Sequence, residues 1–259
     1  MRKAVNILTA ALAMTILAVV ALPSIANEPG TPDPFPDITG HWAIDTIRRA
    51  HEMGLILGYP NGTFKPDDNI SNAEAVSLIN RYFELTKTGD VTFPDVRPGS
   101  WYYYDVSVAV GMGYADGFED GTFRPDADMI RLQTMVMLHR IIGSPAAGSP
   151  ALLAEFSDAA AVTGMTQEAE NAILFLIQDN ILHGYPDGTL RLDNSITRAE
   201  MLVLLLRINR DAAVKDTPAL PTSDPNQDFY EIWPEPPGPV PPVEPPTPQP
   251  TAPPPTASP

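Results

Sequence analysis

The chain of 259 residues contains no cysteine, which excludes disulfide bonds, thiolate metal sites and cysteine nucleophiles together. Its four histidines do not form a His-Glu-x-x-His motif, and no Gly-rich phosphate loop is present. The serine-nucleophile motifs Gly-x-Ser-x-Gly and Ser-x-x-Lys are also missing. The sequence therefore predicts a protein that is not an enzyme and that has no metal site and no cofactor.

Positive charge is scarce as well. Sixteen Lys and Arg stand against 32 Asp and Glu, and the formal net charge is −16. A chain with this charge repels nucleic acid and anionic lipid surfaces. We expect no nucleic-acid partner, and any anionic ligand must be held by individual, locally placed arginines or lysines.

The N-terminal segment 1–26 has the pattern of a secretory signal peptide. It begins with two basic residues, continues with an apolar stretch from Ile7 to Leu22, and ends in the small-x-small site Ser24-Ile25-Ala26. A membrane anchor is the alternative, but 16 apolar residues are fewer than the roughly 20 that a spanning helix needs. We expect cleavage, no membrane association afterwards, and a short linker at 27–34.

The C-terminal segment 211–259 has a different composition from the rest of the chain. It holds 17 of the 30 prolines, and no Lys or Arg follows Lys215. Such a sequence favours polyproline II and predicts a semi-rigid spacer, on the order of 120 Å long at about 3.1 Å per residue. One aromatic patch interrupts it, and it either docks on the folded domain or binds a partner: Phe229, Tyr230, Ile232 and Trp233.

Between these ends, a phrase of about eight residues occurs three times, at Gly58–Lys65, Gly117–Arg124 and Gly184–Arg191. Its Pro-Asn-Gly or Asp-Gly core is typical of a tight turn. In each copy the phrase follows a helical stretch that is introduced by a Phe-x-Asp motif, and a second helical stretch comes after it. Ser71 to Glu74 and Thr197 to Glu200 fit a capping box at the start of that second helix. The second repeat has no such box, so we expect a less sharply started helix there.

This period predicts a mainly α-helical fold of three helix–loop–helix repeats, at 35–90, 91–150 and 151–210. Two helices in about 55 residues cannot enclose a core alone, whereas three stacked units can. We therefore expect one pseudo-threefold domain, followed by a disordered Pro-rich tail at 211–259.

Three phrases resemble the S-layer homology family: Phe-Pro-Asp-Ile-Thr-Gly-His-Trp-Ala at Phe35–Ala43, Gly-Tyr-Pro-Asp-Gly-Thr at Gly184–Thr189, and Ile-Thr-Arg-Ala-Glu at Ile196–Glu200. The resemblance implies a three-pronged helical domain at the cell wall of a bacterium. It also implies non-covalent binding of a secondary cell-wall polysaccharide, often pyruvylated, in grooves between the prongs.

The resemblance also suggests ligand-binding residues: Arg198 as the polymer-binding arginine, Trp42 and Trp101 as groove aromatics, Asp37, Asp95 and Asp158 as the loop aspartates, and Gly58, Tyr59, Gly184 and Tyr185 as groove walls. An arginine fork suits a carboxylate, and donors at a helix N-terminus can add to it. The alternatives are structural: the tryptophans can be partly core residues, and the aspartates can cap the following helices.

The other two repeats place Asn72 and Leu132 at the position of Arg198, with Arg131 one residue earlier. On this alignment we expect a single competent groove, around Arg198. The alternative function is an envelope structural or interaction protein that uses the repeats as a scaffold and the Pro-rich aromatic tail as a partner-binding segment.

Overall fold

The computed structural model describes residues 32–143 and 148–209. Its six α-helices lie in a compact unit that begins at Pro34, with these bounds: α1 Ile44–Glu52, α2 Asn72–Phe83, α3 Tyr103–Met112, α4 Arg131–Ile142, α5 Gln167–Gln178 and α6 Arg198–Arg207. Three 3-10 helices accompany them: Pro36–Ile38, Pro150–Glu155 and Ala159–Ala161. The predicted helical fold is confirmed, whereas the predicted signal peptide and Pro-rich tail lie outside the described residues.

Each repeat contributes two α-helices, as the sequence predicts. Apolar residues at helical spacing face the core: Ile47 and Ala50 in α1 are buried, and so are Val76 and Ile79 in α2. Ile208, the C-cap that follows α6, is buried as well.

The helices pair across repeats. The most extensive helix contacts join α2 to α3, α4 to α5, and α6 to α1. Each prong is therefore built from the second helix of one repeat and the first helix of the next, and the pair of α6 and α1 closes the ring. The three repeats form one pseudo-threefold domain because none of them completes a prong by itself.

A ring of three backbone hydrogen bonds forms the hub. The N–H of Ile70 donates to the carbonyl of Ile196 at 3.0 Å, Ile196 donates to Met129 at 2.9 Å, and Met129 donates back to Ile70 at 2.9 Å. All three side chains are buried. Within the described ranges there is no β-strand, only isolated bridges beside this ring. The hub thus depends on one residue from every repeat.

The first amides of α2, α4 and α6 are tied to the neighbouring repeat. Asn72, Arg131 and Arg198 each donate their backbone N–H to a loop carbonyl, at 2.9 to 3.0 Å. These donors are therefore occupied, contrary to the expectation that they help to bind an anion. The same bonds make these three residues structurally equivalent, so the alignment of Leu132 with Arg198 is wrong by one residue. Leu132 matches Ala199, since both occupy the second helical position.

The predicted capping boxes are present at α2 and α6, where Ser71 pairs with Glu74 and Thr197 pairs with Glu200. Repeat two keeps half of this arrangement. Ile130 has no side-chain oxygen, but its N–H donates to Gln133 Oε1 at 3.1 Å. Gln133 therefore replaces the capping glutamate, and α4 begins at Arg131, in register with the other two helices.

Candidate functional site

The first of two equivalent grooves surrounds Arg198 and has a volume of about 300 Å³. We call it the Arg198 groove. Its other functional side chains are Tyr59, Glu74 and Arg81 from the first repeat and Trp101 from the second. All three repeats thus contribute to one site, which follows from the pairing of helices across repeats.

Arg198 is hydrogen-bonded and ion-paired within its groove. Its Nε donates to the carbonyl of Phe64 at 3.0 Å, and its Nη1 donates to Glu74 Oε1 at 3.1 Å. The Tyr59 hydroxyl donates to the same Glu74 oxygen at 3.0 Å. The guanidinium also lies over the Tyr59 ring, 4.7 Å from its centroid. The arginine is therefore held in place and largely neutralised by its own protein.

The second groove, which we call the Arg131 groove, has a volume of about 390 Å³ and repeats this arrangement. Arg131 comes from the second repeat, Tyr185, Glu200 and Arg207 come from the third, and Trp42 comes from the first. The Tyr185 hydroxyl donates to Glu200 Oε1 at 2.6 Å. Burial, followed by this hydrogen bond, raises the pKa of Tyr185 to about 12.

Arg131 is less well satisfied than Arg198. Only 5% of the residue is exposed, its Nη2 donates to the carbonyl of His183 at 3.0 Å, and its Nε has no hydrogen-bond partner. It forms no ion pair with the residues that the structure describes. Burial, and then the charge of Arg131, lower the pKa of Arg207. The Arg131 groove therefore holds two close cations with an incomplete set of partners.

Both grooves expose a tryptophan. Trp42 is 64% exposed and Trp101 is 63% exposed, so neither is a core residue, contrary to the structural alternative. A large exposed aromatic ring beside an arginine is an arrangement that suits the apolar face of a sugar carrying an acidic group.

The third equivalent position differs in each of these features. Asn72 replaces the arginine, with its Nδ2 donating to the carbonyl of Arg124 at 2.9 Å. The Tyr–Glu pair of the other two grooves is also missing here, because Phe118 replaces the tyrosine and Gln133 replaces the glutamate. The threefold arrangement of the backbone is thus kept here without the side chains that make the other two grooves polar.

An ion-pair cluster accompanies these replacements. Arg140, the counterpart of Arg81 and Arg207, donates to both carboxylate oxygens of Glu168 at 2.6 and 2.8 Å and to Asp116 at 2.7 Å. Its guanidinium is therefore engaged by the protein's own acidic side chains.

The predicted loop aspartates lie on the backbone of the glycine phrases. Asp37 accepts hydrogen bonds from the N–H groups of Phe64 and Lys65, at 2.9 and 2.6 Å. Asp95 and Asp158 accept the corresponding pairs in the other repeats. None of the three aspartates lines the Arg131 or Arg198 groove.

The predicted wall residues Gly58, Tyr59, Gly184 and Tyr185 do line the two grooves. Sequence reasoning missed Arg131 as a groove residue. Counting back three residues from Glu200 reaches the N-cap Thr197, and counting back three from Gln133 reaches Ile130. Arg131 is then the first helical residue, equivalent to Arg198.

The described part of the chain lacks two further kinds of site. No cluster of three or more His, Asp or Glu there could hold a metal ion. No helix in the same ranges is long and apolar enough to cross a bilayer.

The model of the S-layer homology domain matches the chain three times, at residues 34–76, 92–135 and 162–202. There is one match for each of the three structural repeats. Each extends from the start of a repeat, or from within it, into the second helix, so the family pattern and the geometry describe the same units.

Several curated bacterial surface proteins are similar to the chain. The "Surface-layer 125 kDa protein" of Lysinibacillus sphaericus is 29% identical over 80% of this chain and 17% of its own length. Two proteins of Acetivibrio thermocellus also match. "Cell surface glycoprotein 1" is 29% identical over 56% of this chain and 7% of its own length. The "Cellulosome-anchoring protein" is 27% identical over 59% of this chain and 35% of its own length. The chain thus spans between 7% and 35% of the length of these relatives.

Proposed function

Because this chain belongs to the S-layer homology family, with three copies of the domain, we propose that it anchors non-covalently to the bacterial cell wall by binding a secondary polysaccharide in the Arg131 and Arg198 grooves. The chain is a protein of the cell surface or cell wall. The observation that carries the proposal is that an arginine, a Tyr–Glu pair and an exposed tryptophan, drawn from three repeats, converge twice. They do not converge at the third equivalent position.

The chemistry of the grooves supports a sugar polymer that carries carboxylates, such as pyruvyl ketals. The exposed Trp42 or Trp101 can cover the apolar face of a pyranose ring. An arginine fork binds a carboxylate with two charge-assisted hydrogen bonds. Since the chain as a whole is strongly acidic, attraction to such a polymer must come from these local arginines.

The two grooves differ in charge, which predicts different roles. Glu74 already neutralises Arg198 at 3.1 Å, whereas Arg131 lacks an ion-pair partner among the described residues. We therefore assign the acidic substituent mainly to the Arg131 groove, and mainly ring stacking to the Arg198 groove. The proposed role of both grooves is binding.

Sedimentation of the mature protein with purified cell walls tests the proposal. Walls that retain the secondary polymer should carry the protein down, and walls stripped of the polymer should not. Arg131→Ala should weaken binding roughly tenfold, for a lost charge-assisted contact. Arg198→Ala should weaken it less, because this arginine already pairs with Glu74, and the double variant should abolish binding. Arg97→Ala, at an exposed position outside both grooves, is the matched control.

Two outcomes would contradict the proposal. Equal sedimentation with intact and stripped walls would remove the polymer as the ligand. Unchanged binding in the double variant would favour the alternative, in which the repeats are a scaffold and the Pro-rich tail binds an envelope partner. Walls from which only the pyruvyl groups have been removed test the finer assignment, because binding should then depend much less on Arg131.

A further inference from the structure

The Arg131 groove contains a buried arginine that has no ion-pair partner among the described residues. Arg131 is buried, has an unpartnered Nε, and lines a groove together with a second arginine, Arg207. Among the described residues, the only carboxylate that lines this groove belongs to Glu200, and it accepts hydrogen bonds from the Tyr185 hydroxyl and the N–H of Thr197. A buried cation without a counter-charge is costly, so a carboxylate that enters this groove should bind there.

The described part of the chain ends two residues after a residue that lines this groove. Arg207, which lines the groove, is the last residue of α6. The carbonyl of Ile208 is fixed by the Tyr82 hydroxyl at 2.6 Å. The described chain ends one residue later, at Asn209, two residues after the groove-lining Arg207, and 50 residues follow it in the sequence.

The sequence of this segment is complementary to the groove. No Lys or Arg follows Lys215, and the stretch 224–235 carries four carboxylates and three aromatic residues: Asp224, Asp228, Glu231, Glu235, Phe229, Tyr230 and Trp233. Asp224 lies 15 residues beyond Asn209, a distance that an extended chain can span up to about 50 Å. Aromatic-lined grooves bind Pro-rich segments, and a tether of this length gives an effective concentration on the order of millimolar.

We propose that the acidic aromatic segment 224–235 binds in the Arg131 groove of its own chain, with a carboxylate on Arg131 and its rings against Trp42 and Tyr185. The Arg198 groove is not the target, because its arginine is already bonded to Glu74 and to the carbonyl of Phe64. The segment would then compete with the wall polymer for one groove of the two. That competition rests on the proposed function, whereas the docking itself does not.

Because the sequence contains no cysteine, a single introduced thiol can be labelled specifically, which allows a direct test of docking. Ser223→Cys in the full mature chain introduces a single thiol, to which a small fluorophore that tryptophan quenches on contact can be attached. Docking places the label beside Trp42, so Trp42→Phe and Arg131→Gln should each raise its emission about twofold or more. The matched variants of the other groove, Trp101→Phe and Arg198→Gln, should leave the emission unchanged, and Trp233 contributes equally to all four.

Each outcome of this test supports or overturns the proposal. Trp42 is exposed, so Trp42→Phe keeps the test valid even if Arg131→Gln folds poorly. No recovery with Trp42→Phe, or equal recovery with Trp101→Phe, overturns docking in the Arg131 groove. Quenching that disappears on hundredfold dilution shows a second copy as the occupant and overturns docking within one chain.

A second measurement separates this proposal from the proposed function. Replacing the four carboxylates of 224–235 by their amides should tighten wall binding, by a factor of a few if the polymer and the segment share the groove. If the label reports docking but wall binding does not respond to Arg131→Ala, the docking stands and polymer binding in that groove fails. If Arg131→Ala weakens wall binding but the label reports no docking, polymer binding in that groove stands and docking fails.

Discussion

At the scale of single residues, one aspartate carboxylate in each repeat accepts hydrogen bonds from the backbone of the glycine phrase. Asp37 binds the backbone N–H groups of Phe64 and Lys65, and Lys65 has a left-handed backbone with φ 57°. A non-glycine residue in that region is strained, so the carboxylate stabilises a conformation that the chain otherwise avoids. Arg124 and Arg191 are held in the same way, with φ of 54° and 51°.

We expect Asp37→Ala to lower the free energy of unfolding by about 1–3 kcal/mol, because two backbone donors, one partly buried and one exposed, lose a charged acceptor. Urea unfolding measures this change. Asp45→Ala, which removes only an exposed ion pair on α1, should cost less than about 0.5 kcal/mol. The folded Asp37→Ala protein should still bind walls; loss of binding at unchanged stability would instead make Asp37 a ligand contact.

The Asp37 carboxylate should make the free energy of unfolding depend on pH. Burial alone would raise the pKa of Asp37, but the N–H groups of Phe64 and Lys65 outweigh burial and lower this pKa below its usual 3.8. Its contribution is therefore present above about pH 4 and is lost as the pH falls through the lowered value. The difference in unfolding free energy between the parent and Asp37→Ala should accordingly shrink at low pH.

Two glycines of the first phrase provide a matched pair. Both have positive φ, 73° at Gly58 and 81° at Gly62, but they differ in available space. A Cβ at Gly58 would press into the Phe35 ring and lie 2.9 Å from the carbonyl oxygen of Thr63, whereas a Cβ at Gly62 meets nothing within 4 Å. Gly62→Ala should cost about 1 kcal/mol for its backbone alone, and Gly58→Ala should cost clearly more. Equal midpoints in thermal unfolding would contradict this packing argument.

At the scale of helices and loops, the sequence predicted what is local. The Pro-Asn-Gly core of the first phrase predicted a tight turn, and Gly62 N–H does donate to the Tyr59 carbonyl at 2.9 Å. The start of α6 followed from Thr197 and Glu200, because a capping box is encoded within four residues. The start of α4 was placed wrongly relative to the other helices, because only Gln133 remains of its box.

The grooves could not be predicted in full for a different reason. Arg198 contacts Glu74 and Phe64, 124 and 134 residues away, and Trp101 lines the same groove. These contacts depend on the pairing of α2 with α3 and of α6 with α1, which no local pattern encodes. The family resemblance named residues that do line the grooves, but the equivalence of Arg131 and Arg198 needed the backbone geometry.

Variants of Arg140 test whether the third equivalent position contributes to stability and not to binding. Removing one partner of a partly buried ion cluster leaves carboxylates unpaired, so Arg140→Ala should cost about 3 kcal/mol. Converting Asp116 and Glu168 to amides in the Arg140→Met background should recover much of that loss. Differential scanning calorimetry of the three proteins measures both effects. Wall binding by each folded variant should stay at the parental level, and a specific loss would show that this position also holds polymer.

At the scale of the whole molecule, the domain is a closed ring. In an open array of repeats, each unit contacts only its neighbours and the ends can fray. Here α1 packs on α6, and the hub joins Ile70, Met129 and Ile196 through a cycle of hydrogen bonds. Removal of any repeat therefore breaks two prongs and the hub together, which predicts that the three repeats unfold as one cooperative unit.

Two tryptophans in different repeats make this prediction measurable. In a Trp233→Phe background, single-tryptophan proteins that retain only Trp42 or only Trp101 should show the same urea midpoint, and far-UV circular dichroism should coincide with both. A shorter chain, 27–143, removes α5 and α6, so α4 and α1 lose their partners and the hub loses Ile196. We expect this chain to give no cooperative transition, because its exposed apolar faces cannot be buried. Separate midpoints, or a sharp transition in 27–143, would mean that the repeats fold independently. Grooves assembled from three repeats would then not be protected by the stability of the whole ring.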